Sequence, residues 1–285
     1  MLGQELLDRT IALPGYAAYE RRAVHIWRAP ENSTPMLETS LRDLGRFLCG
    51  IWALYLHGTS GGITLSRLSE LLDLTGVSGP GRARSVLTFM RFIGYIEPAP
   101  AAGDGRVRAF QPTPRMSQAF RERYRREFAA AGPLDPDITE ALVRLDDDAF
   151  FLAIMAGIGE LCLAGFEWFE FDAVSLNVIS HKFAGMMVLG ELLTAAERED
   201  APFPPVGPMA YSLAGVAKAC GVSRTQVRRV LKEGRDHGFM EMKGDGELVL
   251  TPLLAEHVRL LIACAYIMLQ WACAKAIATT ANQTG

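Results

Sequence analysis

The sequence predicts a mainly α-helical protein that uses one compact arrangement twice, each copy joining two short helices to a small β-hairpin. Three observations predict it. A short helix, a glycine-bearing turn, a basic second helix, a Gly-aromatic pair, a hairpin and a Thr-Pro step run over residues 63–114, and the same order returns over residues 211–252. Long helical segments flank both copies, over 37–56 and 116–131 around the first and over 173–196 and 253–278 around the second. Apolar residues make up 49% of the 285 positions, enough for two domains with a sizeable core, which excludes disorder for most of the chain.

Residues 1–36, with Pro14-Gly15, Trp27 and Pro30, read as an arm that packs across the fold or frays. Residues 37–132 form the first domain. Leu65, Leu68, Leu71 and Leu72 recur at helical spacing on its first short helix, followed by Gly76-Val77-Ser78 as the turn. Pro80 then starts a second helix, at a position where its missing N–H has no helical partner to lose. Ala83, Val86, Leu87 and Met90 face inward there, which leaves Arg82, Arg84, Ser85, Thr88 and Arg91 outward or beside a groove. Gly94-Tyr95-Ile96, Asp104-Gly105-Arg106, Arg108 and Thr113 follow in the order of a hairpin.

Residues 133–172 form a connector, acidic and then apolar. Residues 173–285 form the second domain, where the spacing is cleaner. Ser212 caps a helix whose apolar positions are Leu213, Val216, Ala217 and Cys220, and Gly221 ends it with left-handed backbone. Ser223 starts the next helix. Val227, Val230 and Leu231 form its apolar side, opposite Arg224, Thr225, Gln226, Arg228, Arg229 and Lys232. A basic, amide-bearing face over a short apolar anchor is the composition that a helix in a DNA major groove requires. After Gly238-Phe239, alternation on both sides of Gly244-Asp245-Gly246 reads as a β-hairpin ending at Thr251. The distance from Leu68 to Val86 is 18 residues against 14 from Val216 to Val230, so the first copy has the longer turn.

The placement of Ala217, Gly221, Val222, Val227 and Val230 closely resembles the helix-turn-helix motif, and the hairpin behind it makes a winged helix. Gly94-Tyr95-Ile96, Asp104-Gly105-Arg106 and Thr113 resemble the Gly-Leu-Ile, Asp-x-Arg and Leu-Thr pattern of MarR-type winged-helix transcriptional regulators. The resemblance implies sequence-specific binding of double-stranded DNA, with Asp104 bracing a wing, Arg106 entering the minor groove and Arg108 assisting. It also implies long dimerisation-type helices joining the two winged domains, and a pocket for a small phenolic or lipophilic effector. Pro112 stands where the pattern has Leu, and the second hairpin has Glu247 where a wing arginine belongs. Proteins of this type carry one head per chain, so two heads imply a fused pseudo-dimer, acting as a monomer or as a homodimer. The DNA-contacting set is then Arg82, Arg84, Ser85, Arg91, Arg106 and Arg108 in one head and Ser223, Arg224, Thr225, Gln226, Arg228, Arg229 and Lys232 in the other. Because the heads differ, their target need not be palindromic.

The net charge is −3, from 29 Lys and Arg against 32 Asp and Glu, but residues 76–126 are locally basic and residues 134–172 locally acidic. Only the local field attracts phosphate, so the arginines of the basic stretch are expected to face DNA. Cys49, Cys162, Cys220, Cys264 and Cys273 lack Cys-x-x-Cys spacing and read as buried thiols. The five histidines show no ligand spacing, and Asp146-Asp147-Asp148 reads as the charged start of a helix rather than a metal site. No catalytic constellation, metal or cofactor is therefore expected. Phe150, Phe151, Phe166, Trp168, Phe169 and Phe171 fit either packing between the halves or an effector pocket.

Residues 1–22 carry acids and no continuous apolar core, so no signal peptide and a cytoplasmic location are expected. The uncharged run 260–274 is shorter than the roughly 18 residues of a spanning helix and reads as an interface helix, with no membrane involved. Two other function classes fit the same two-headed pattern. One is a protein-interaction module of the kind found in chromosome-condensation accessory subunits. The other resembles plasmid replication initiators, which are more strongly basic than this chain.

Overall fold

The computed structural model describes residues 4–28, 44–60, 62–74, 80–100, 109–164, 179, 182–243 and 246–284, with side chains of 44–46, 80–82 and 283–284 left out of the description. The chain is mainly helical with small antiparallel sheets. In chain order its elements are α1 (Gln4–Ile11), α2 (Tyr16–Trp27), α3 (Leu44–Ser60), α4 (Leu65–Leu74), α5 (Pro80–Phe92), β1 (Ile96–Pro98), β2 (Phe110–Pro112), α6 (Pro114–Ala131), α7 (Pro136–Arg144), α8 (Asp148–Ala164), α9 (Gly185–Ala196), β3 (Gly207–Ala210), α10 (Leu213–Ala219), α11 (Arg224–Asp236), β4 (Met240–Met242), β5 (Glu247–Leu250) and α12 (Pro252–Thr284). They fall into two compact units, each made from two stretches of chain: Met1–Leu44 with Phe169–Ile267, and Gly45–Trp168 with Met268–Gly285.

In the first unit residues 4–28 pack against the fold rather than fray. Tyr16, Tyr19, Ala23, Val24 and Ile26 give α2 a buried stripe, and its polar side is tied to α9. Arg28 Nε reaches Glu191 Oε2 at 2.8 Å, while Arg21 and His25 converge on Glu197 at 3.0 and 2.8 Å. Toward α12, the Tyr16 hydroxyl donates to the Arg259 carbonyl at 3.1 Å. Glu20, only 2% exposed, faces Arg259 Nε at 3.4 Å. Burial pushes the Glu20 carboxyl up to about 7, against the opposing pull of Arg259. A three-stranded sheet of order β3-β5-β4 pairs Met209 with Leu248 and Met240 with Leu250. Strand β3 lies before the second copy as the sequence delimits it.

In the second unit, β1 and β2 pair antiparallel, and Ile63 exchanges both backbone hydrogen bonds with Phe110 of β2 at 2.8 Å. Helix α6 starts at Pro114, with Thr113 as its cap. The sequence reading of α6 as part of a DNA-facing basic stretch is corrected for two of its arginines. Arg125 bonds Asp146 at 2.7 Å, and Arg121 bonds Asp148 at 2.5 Å while lying over the Phe151 ring. The basic and acidic stretches neutralise each other here, because folding brings the start of α8 beside α6. Asp147 Oδ1 accepts the Phe150 amide and caps α8. Phe150 and Phe151 are core residues; the other four aromatics of that cluster lie outside the described residues.

Helix α12 is counted in both units, to Ile267 in one and from Met268 in the other. At 33 residues it is much longer than its uncharged run. By length and composition it is able to cross a membrane, because an apolar window tolerates the odd charge that ends an uncharged run. Half of its most apolar window is nevertheless buried by protein. A Cβ added at Gly157 of α8 meets the Ala272 Cα at 3.3 Å, so these helices are in close contact. Lys275 pairs with Glu160 and Gln270 donates to Asp135 at 2.6 Å, which ties the polar residues of this half to its own unit.

Candidate nucleic-acid interface

Helices α10 and α11 are set by local chemistry. Ser212 Oγ accepts the Gly215 amide and Ser223 Oγ accepts the Gln226 amide, both at 3.1 Å, caps of about 1 kcal/mol each. Between them Gly221 takes φ 59°, which a side chain disfavours, and the Val222 amide returns to the Ala217 carbonyl at 2.9 Å. Val227, Val230 and Leu231 are buried, an anchor of about 1.5–3 kcal/mol for each side chain. Arg224, Thr225, Arg228, Arg229 and Lys232 are exposed. Among the described residues Arg224, Arg228 and Arg229 have no ion-pair partner, whereas Lys232 pairs with Asp236.

Two members of the expected DNA-contacting set have work inside the fold. The Gln226 side-chain amide donates to the Phe183 carbonyl at 2.7 Å, and Lys182 pairs with Glu233 at 2.7 Å, so the segment ahead of α9 braces α11. The Ser223 hydroxyl is taken by its cap. In the other head, Ala83, Val86, Leu87 and Met90 are buried and Arg84, Ser85 and Thr88 exposed. The Arg91 guanidinium lies over the Phe110 ring at 5.4 Å, and Phe92 beside it is 84% exposed. The Arg82 side chain, Asp104, Arg106 and Arg108 lie outside the described residues, as do the turn at 76–78, His181 and Gly244-Asp245.

The two helix–hairpin segments share a set of backbone and threonine hydrogen bonds. The Tyr95 amide donates to the Met90 carbonyl and the Phe239 amide to the Gly234 carbonyl, both at 2.8 Å. Gly94 and Gly238 precede them at φ 72° and 74°. Thr113 Oγ1 donates to the Gly94 carbonyl at 2.7 Å and Thr251 Oγ1 to the Gly238 carbonyl at 2.8 Å. Each threonine oxygen also accepts the amide three residues on, Met116 or Leu254, and so caps the following helix. Matching these bonds aligns Arg84 with Arg228, Ser85 with Arg229, Thr88 with Lys232, Arg91 with Arg235 and Phe92 with Asp236.

A cleft of about 460 Å³ opens between α11 and its hairpin, lined by Arg228, Lys232 and Arg235 together with Tyr211, Leu213, Leu231, Met242 and Gly246. Arg235 is absent from the sequence-predicted set. Its position seven residues after Arg228 puts it on the same helix face, a signal present in the sequence but masked by its place at the helix end. Burial pushes the thiols of Cys162, Cys264 and Cys273 up to about 11, 12 and 12, which disfavours their reactive thiolates. Among the described residues no group of His, Cys, Asp and Glu is placed to hold a metal ion. No protein-family model, curated protein or solved structure matches the chain.

Proposed function

We propose that this chain is a sequence-specific, double-stranded DNA-binding transcriptional regulator of the cytoplasm that carries two unlike winged-helix heads resembling those of MarR-type regulators. The observation that carries the reading is the outer face of α11. Arg224, Arg228 and Arg229 stand exposed and, among the described residues, without ion-pair partners on a helix whose opposite side is anchored in the core. Such a face attracts phosphate and offers donors to base edges. The shared hydrogen bonds at Thr113 and Thr251 support reading both heads as versions of one binding unit.

The test starts from duplexes selected out of a random pool by the purified chain. A motif is expected to enrich, and Arg228→Ala with Arg229→Ala is expected to weaken its binding at least about 100-fold in a mobility-shift assay. An unenriched pool, or unchanged affinity in the folded double variant, contradicts the reading. The head around α5 favours a second reading for itself. Phe92 at 84% and Leu74 at 70% exposure present apolar surface where the other head presents charge, which suits contact with a protein.

A further inference from the structure

The cleft between α11 and its hairpin has the composition of an anion seat with an apolar floor. Among the described residues three cations line it and no carboxylate does, while Tyr211, Leu213 and Met242 supply a surface against which a sugar can pack. The nearby hairpin carboxylates Glu241 and Glu247 are exposed and do not line it. Lys232 is already paired with Asp236, so Arg228 and Arg235 carry most of the attraction. Seven residues of helix separate those two by about 10 Å along its axis, longer than a lone phosphate needs.

The internal repeat says which of these charges have a common task. Arg228 and Arg235 are the two cleft cations with arginine counterparts in the other head, Arg84 and Arg91. Arg229, Lys232 and Asp236 are replaced there by Ser85, Thr88 and Phe92. A contact needed by both heads regardless of sequence is a backbone contact, and positions that diverge are those free to read different bases.

We propose that the cleft seats a sugar–phosphate strand of the bound nucleic acid, with Arg228 and Arg235 on phosphate oxygens and Tyr211, Leu213 and Met242 against the sugar. Base reading then falls to Arg224, Thr225 and Arg229. The proposal rests on the DNA-binding reading above and assigns Arg228 to the backbone rather than to the bases.

Fluorescence anisotropy of the full chain on the selected duplex and on a shuffled one, over a salt series, tests it. Arg235→Gln is expected to weaken both duplexes by one factor and to flatten the log–log salt slope by about 0.9, the signature of one lost phosphate contact. Arg235→Lys is expected to keep most of that slope. Arg229→Gln is expected instead to narrow the preference between the duplexes. An unchanged slope in Arg235→Gln while the unaltered chain binds DNA overturns the seat alone. Failure of the unaltered chain to bind either duplex overturns the DNA reading with it. A nucleoside monophosphate that binds the chain and loses affinity in Arg235→Gln, with duplex binding unaffected, assigns the cleft to a free ligand and also overturns the strand proposal.

Discussion

The two helix–hairpin copies share a hydrogen-bonded frame and differ in much of what their described residues show to solvent. Around α11 the frame carries three exposed arginines without ion-pair partners among the described residues, a cleft lined by cations, and a brace from Lys182 and the Phe183 carbonyl. Around α5 it carries Arg84, an Arg91 laid over Phe110, and an exposed phenylalanine. Backbone geometry at Gly94 and Gly238 is held by the backbone hydrogen bonds of the turn, the buried Tyr95 and Phe239 that follow, and the threonine, so it survives divergence. The outer faces are not constrained by packing and are free to take up different partners.

The largest expected effect separates the heads directly. Arg224→Ala with Arg229→Ala should cost at least about 100-fold in duplex affinity, whereas Arg84→Ala with Ser85→Ala should cost under about tenfold. Equal losses in mobility-shift assays break the asymmetry.

The units should also differ in their response to pH. Glu20 braces only the first, and its proton is held more tightly when folded than at the ordinary carboxyl value of 4.5. Stability from this group is therefore full below about 4.5 and is lost as pH rises through about 7. Glu20→Gln should remove that loss, worth on the order of 3 kcal/mol at pH 8 before the cost of leaving Arg259 unpaired. Thermal melts from pH 5 to 8 that show the same slope in both proteins contradict this.

A smaller effect tests what the heads have in common. Thr113→Val and Thr251→Val each remove a hydroxyl that bonds the glycine carbonyl and caps a helix, so each should cost about 1–2 kcal/mol in denaturant unfolding. Costs differing by more than about 1 kcal/mol would show that the frames are not equivalent. Smallest of all, Phe92→Ser should change stability by less than about 0.5 kcal/mol, because an exposed ring has little burial to lose.

Local features were legible in the sequence. The caps at Ser212 and Ser223, the turn at Gly221 and the inward faces of α5 and α11 follow from spacing and side-chain chemistry alone. Features made by distant residues were not. Strand β3 is four residues containing Pro208, too short for any period. The packing of α2 on α9, the pairing of Arg121 and Arg125 with Asp148 and Asp146, and the hold of Gln226 on Phe183 join residues far apart in the chain. Each redirects a charge or amide that looks available in one dimension. Around the candidate site the exposed and buried faces of α11 followed from the sequence, whereas the cleft that the hairpin makes by approaching the helix, and the place of Arg235 in it, did not.

Hydroxyl-radical footprinting of the full chain on its selected duplex tests the central claim most directly. Two protected patches of unlike sequence are expected, with one lost in the Arg224→Ala, Arg229→Ala variant and the other retained at higher protein concentration. No protection, or a pattern indifferent to that variant, contradicts an outward-facing α11 as the reader of DNA.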